Sequence, residues 1–144
     1  MKEIRIGKRE IPLFYSTFEM IAIQREIGCT AFQLRDEVFG IVQEDEDDPM
    51  SVRLECVTDP EKTEKLGKLI RILGNAGLEE AGETPDLTDK WVMRAIRPAK
   101  IQDAMQRCLD AINDGMASEI PAKKSDEPVD VTLEQLEKKK EKDG

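Results

Sequence analysis

The 144-residue chain contains no histidine. That absence removes most zinc sites, the nucleophile systems that depend on an imidazole base, and the commonest general base near neutral pH. Aromatic residues make up 4% of the chain, so a core has to be assembled from Ile, Leu, Val, Met and Ala. The 22 Lys+Arg are outnumbered by 31 Asp+Glu, a formal net charge of −9. A sequence-independent hold on nucleic acid needs clustered cations, so no nucleic-acid partner is expected. No apolar run approaches the roughly 18 residues of a membrane span, and the charged opening segment does not read as a signal peptide. A soluble intracellular protein with no membrane partner is expected. The three cysteines, Cys29, Cys56 and Cys108, lie far apart. They read as reduced, buried thiols rather than a disulfide framework or a zinc knuckle.

What is present is organised by period. Ile4 and Ile6 alternate with Glu3 and Arg5, Gly7-Lys8 interrupts, and Ile11, Leu13 and Tyr15 resume the alternation. This predicts a β-hairpin turning at Gly7, with Pro12 suited to an edge position. Ser16-x-x-Glu19 has capping-box spacing and opens a helix ending at Gly28. Its apolar residues (Phe18, Met20, Ile21, Ala22, Ile23, Ile27) cover much of the circumference, which predicts a helix well inside the fold. Thr30-x-x-Gln33 repeats the capping spacing, and Phe32, Leu34, Val38, Phe39, Ile41 and Val42 predict a short second helix.

Residues 44–48 are five consecutive acids followed by Pro49, a solvated loop. A calcium loop is not matched there, because the glycine needed at the sixth position is missing. Residues 51–57 alternate again and read as a third strand, with a helical turn as the rival. Asp59-Pro60 starts the clearest helix: Leu66, Leu69, Ile70, Leu73 and Ala76 recur at three and four, and Gly77 is read as its end, with Leu78 to Gly82 a frayed extension. Asp86-Leu87-Thr88 begins another, with Trp91, Val92, Ala95 and Ile96 on one face; Trp91 reads as core rather than as a partner anchor. Pro98 then leads into a strongly amphipathic helix carrying Ile101, Ala104, Met105, Cys108, Leu109, Ile112 and Met116. Residues 121–144 are nearly all charged or small and read as a disordered tail.

The fold expected is therefore α+β and mainly α. It comprises an N-terminal β-hairpin, a small bundle of amphipathic helices over residues 1–120, and the charged tail at 121–144. Gly74, Gly77 and Gly82 fit no phosphate-binding loop, and helix ends and turns explain them. The four serines lie in no nucleophile elbow. No catalytic residue, metal ligand or cofactor site is assigned, and an enzyme is not expected.

The order of features carries a resemblance. The opening Lys2-Glu3-Ile4-Arg5-Ile6-Gly7-Lys8-Arg9-Glu10-Ile11-Pro12-Leu13 leads to a helix ending Arg25-Glu26-Ile27-Gly28-Cys29. Later come Leu73-Gly74-Asn75-Ala76-Gly77-Leu78, then Pro85-Asp86-Leu87-Thr88, and a last helix ending Ile112-Asn113-Asp114-Gly115-Met116. Over residues 1–120 this resembles the tail assembly chaperones of long-tailed bacteriophages and prophages of Gram-positive bacteria. The resemblance implies a non-enzymatic protein of the host bacterial cytoplasm, absent from the mature virion. It would coat and solubilise the tape-measure protein, recruit tail-tube protein, and self-associate. On that reading Trp91, Ile101, Met105, Leu109, Ile112 and Met116 are the candidate partner-binding residues. The competing expectation is an acidic inhibitor, encoded by a phage or mobile element, that mimics DNA or fills a basic protein groove. Such a mimic needs carboxylates spaced along one face, whereas the helices here mix Lys with Glu.

Overall fold

A two-residue turn at Gly7-Lys8 joins strands β1 (Lys2–Ile6) and β2 (Arg9–Leu13) in an antiparallel pair, with Ile6 opposite Arg9 and Glu3 opposite Pro12. Gly7 has φ +63°, the left-handed value such a turn requires and a side chain resists. Alternation does the rest: Ile4, Ile6, Ile11 and Leu13 are all at most 2% exposed, on one face of the hairpin. The computed structural model describes residues 2–117, so the predicted tail at 121–144 and the boundary at 120 lie outside the described residues.

Ser16 starts helix α1 (Thr17–Glu26) through the predicted capping box. The Ser16 N–H donates to Glu19 Oε1 at 2.9 Å and its hydroxyl to the same oxygen at 2.5 Å. The expectation of an interior helix is not met. Of α1 only Glu19 and Ile23 are buried, while Phe18, Met20 and Ile21 stand exposed. The helix rests on the core along one narrow flank, and its remaining apolar residues lie off that flank.

The expected second helix is divided. Residues Ala31–Gln33 form a 3-10 turn and Arg35–Phe39 a single π turn, after which Gly40 at φ +59° redirects the chain. Ile41 and Val42 fall instead in strand β3 (Ile41–Gln43), paired antiparallel with β4 (Val52–Leu54). The acidic run is the exposed loop of that hairpin, as its charge requires. Both readings of residues 51–57 hold in part, since Glu55–Val57 is a 3-10 turn that buries Cys56.

Helix α2 (Pro60–Glu80), N-capped by Asp59, is the axis of the fold. Ten of its 21 residues are buried, on more than one side. It does not end at Gly77. Leu78 is 1% exposed and the helix runs on to Glu80. Gly77 is glycine for a different reason: β2 crosses α2 there, and a Cβ would overlap the Pro12 carbonyl and lie 2.9 Å from Leu13 N. The Phe14 N–H donates to the Leu73 carbonyl at 3.1 Å beside this crossing. Gly74 serves the same packing, since a Cβ there would meet Leu87 Cδ1 at 2.6 Å. Asn75 pins the following segment by bonding both the N–H and the C=O of Leu87, at 2.9 and 3.1 Å.

Thr88 caps helix α3 (Asp89–Ala95), Pro98–Lys100 makes a 3-10 turn, and α4 (Ile101–Ala117) follows. Three elements are tied by charge. Arg71 on α2 pairs with Glu26 of α1 and with Asp89 of α3, the latter at 2.5 Å, and Lys68 adds a bond to Asp89 at 3.1 Å. Partial burial works against the Asp89 carboxylate, but the bonds from Arg71 and Lys68 outweigh it and hold its pKa below the usual value. A carboxyl depressed on folding contributes stability above its unfolded pKa of about 4 and loses it as pH falls through the folded value. Urea denaturation should show Asp89→Asn weaker than the parent by about 1 kcal/mol or less at pH 7. The gap should narrow as the pH falls below about 4, and a constant gap would remove this pairing as its cause.

Candidate functional site

The predicted contact residues divide sharply. Ile101, Met105 and Ile112 are 7, 5 and 4% exposed, and Leu109 is half-buried. The apolar stripe of α4 is thus consumed by the protein's own core, together with Ala104 and Cys108. Ile101 also lines a 250 Å³ apolar pocket with Met93, Ile96, Leu66 and Ile70. Only Trp91 and Met116 of the set are exposed. Trp91 is therefore not the core residue its neighbours suggested. Its ring lies under the Arg9 guanidinium, 5.7 Å from the centroid, and Arg9 in turn bonds Asp86 at 2.8 Å.

The exposed apolar surface lies on α1 instead. Phe18 is 76% exposed and Ile21 43%, one turn apart on the same outward side. Beside Phe18 runs a shallow 150 Å³ groove between α1 and α2, floored by Ala22, Ile72 and Ala76 and edged by Glu26 and Glu79. The helix that presents this surface is held firmly, by the Ser16–Glu19 cap at one end and the Glu26–Arg71 pair at the other. Sequence reasoning missed it by reading broad apolar coverage as burial. The available signal was geometric: a ten-residue helix with apolar residues on several sides exceeds what one flank can cover.

Chemistry of the reactive side chains is muted. Burial pushes the Cys108 thiol far up, and burial likewise raises Cys29 and Cys56, so all three are poor nucleophiles. The Tyr15 hydroxyl is buried without a hydrogen-bond partner among the described residues, and burial first, then Glu19, raises its pKa. Among the described residues no group of three acidic or thiol side chains is placed to hold a metal ion, and no helix is long and apolar enough to cross a membrane. The acidic loop is occupied with itself: Asp45 Oδ1 accepts from the Asp47 N–H and Asp48 Oδ1 from the Met50 N–H, both at 3.0 Å. No protein-family model, curated protein or solved structure matches the chain.

Proposed function

We propose that the protein is a non-enzymatic tail assembly chaperone of a long-tailed bacteriophage or prophage, acting in the bacterial cytoplasm and leaving before the virion is complete. It covers apolar helical faces of the tape-measure protein and brings tail-tube subunits to them. The observation that carries this reading is the rigid presentation of Phe18 and Ile21 on α1. Large apolar side chains held outward on a fixed helix, beside a groove floored by Ile72 and Ala76, suit the apolar face of a partner helix. The acidic remainder of the surface would keep the resulting complex soluble. The resemblance over residues 1–120 supplies the identity of that partner. The contact surface is α1 with the α1–α2 groove, with the exposed Trp91 as a further apolar side chain, in place of the buried face of α4.

Co-expression with the long helix-rich protein encoded beside it tests the reading. The prey should be insoluble alone and recovered in a soluble complex with this protein. Phe18→Asp combined with Ile21→Asp should retain the fold, because both sites are exposed, and should cut recovery at least tenfold. Met50→Asp, at a residue 88% exposed on the acidic loop, should leave it unchanged. A soluble prey that ignores the bait would sink the proposal and return attention to an acidic inhibitor of a basic host protein. Undiminished recovery by the double variant would move the contact surface off α1.

A further inference from the structure

The two outer edges of the β1–β2 hairpin are treated differently. The two-residue turn makes Ile6–Arg9 the closing hydrogen-bonded pair, so Ile4–Ile11 and Lys2–Leu13 are bonded pairs as well. Glu3–Pro12 and Arg5–Glu10 are the unbonded pairs, and their backbone groups point away from the partner strand. On β2 this outer edge is obstructed at its far end, although the backbone groups of Glu10 also meet no partner among the described residues. Pro12 has no N–H to offer, its carbonyl lies against Gly77, and the Phe14 N–H is taken by Leu73. On β1 it is open: the backbone groups of Glu3 and Arg5 meet no partner among the described residues.

Alongside the open edge runs a trough of 670 Å³, within the range of cavities that hold ligands. One wall is β1; the other is the corner between α3 and α4. Its apolar lining is small, with Ala95, Ile96 and Ala104 facing Ile4 and Ile6. Its charge is opposite to that of the molecule: Arg5, Arg97, Lys100 and Arg107 line it against a single acid, Asp103. Arg5 is paired with Glu10 at 3.1 Å and Arg107 with Asp103 at 3.6 Å, whereas Arg97 and Lys100 have no carboxylate partner among the described residues. On a chain of net charge −9, four cations in one trough are a local exception that composition conceals.

We propose that this trough takes an extended acidic segment of a partner protein as a third strand beside β1. The backbone of the segment bonds the free groups of Glu3 and Arg5. Its side chains of one parity are small or β-branched and apolar, and pack on Ala95, Ile96 and Ala104. Those of the other parity include Asp or Glu and face the arginines. Strand addition of this kind draws affinity from main-chain bonds and specificity from alternate side chains. The free edge is what favours a peptide over a simple polyanion, which would satisfy the cations but not the backbone. This surface is separate from the α1 groove, and the inference stands independently of the function proposed for that groove.

A fluorescein-labelled ten-residue peptide alternating Val and Asp is the probe, read by anisotropy with the full chain. It should bind, and a peptide of the same composition in scrambled order should bind at least tenfold more weakly. Methylating alternate backbone nitrogens of the peptide, which leaves every side chain in place, should abolish binding. Arg97→Glu with Arg107→Glu should weaken it at least tenfold at an unchanged melting temperature, since both side chains are exposed. Amide hydrogen exchange at Glu3 and Arg5 should slow when the peptide is added. The proposal is overturned if the alternating peptide does not bind, or if the methylated peptide binds equally well. It is also overturned if a decamer of deoxythymidine competes as strongly as the alternating peptide, which would make the trough a general anion sink.

Discussion

Gly77→Ala is expected to destabilise the protein by about 3 kcal/mol, although alanine is the better helix former by roughly 1 kcal/mol. The new Cβ would overlap the Pro12 carbonyl, which is backbone and cannot rotate aside. Pro12 is fixed by its own ring, by the β1–β2 register and by the Phe14–Leu73 bond one step along the chain. The strand would have to lift off α2, uncovering Ile11 and Leu13 from the centre of the core. Gly67→Ala is the matched control. There the Cβ meets only the end of the Met93 side chain, which has other rotamers available, and a change of less than about 1 kcal/mol is expected. Urea denaturation of the two variants measures both. Equal small effects would mean that β2 does not press on α2 at Gly77.

Met105→Asp is expected to remove a large part of the chain's stability. Met105 is 5% exposed among Ile101, Ala104, Cys108 and Ile112, and no cation lies in that apolar cluster. An unpaired carboxylate placed there costs on the order of 4 kcal/mol or more, against a total stability of about 5–15 kcal/mol for a domain. Leu109→Asp, at a half-buried site, should cost about 1–2 kcal/mol and leave a folded protein. Circular dichroism and a melting curve distinguish the two. A Met105→Asp variant as stable as the parent would mean that this stripe of α4 faces solvent after all. It follows that lost partner binding in a Met105 variant would report the fold, and that Phe18 and Ile21 are the positions that can report binding.

The hairpin, the Ser16 cap, the Asp59-Pro60 start and the amphipathic α4 were legible because each is a local pattern: a period of two, a capping triplet, a period of 3.6. Gly77 was misread because a glycine that stops a helix and one that admits a crossing strand look alike along the chain. What distinguishes them is Pro12, 65 positions away. Residues 30–43 were misread for a related reason. Their apolar residues are continuous, and the break at Gly40 follows from β3 pairing with β4 across the acidic loop. Exposure was the hardest property to foresee. Apolar residues are buried along the single stripe of α4 and bare on several sides of α1, and the difference lies in how many neighbours each helix meets. The basic trough was invisible for a simpler reason: Arg5, Arg97, Lys100 and Arg107 are unremarkable one at a time, and only folding gathers them.

The unequal edges of the hairpin also set how far its sheet can grow. With β2 obstructed by α2 at Pro12, β1 is the edge of this sheet that can take a strand along its length among the described residues. Two molecules meeting through their β1 strands would spend both of those edges and form a two-fold pair. Propagating stacks, which need two open edges per unit, are hindered where β2 meets α2 at Pro12. The N-terminal hairpin therefore favours a single addition: it can receive one strand beside β1, and growth beyond β2 is obstructed.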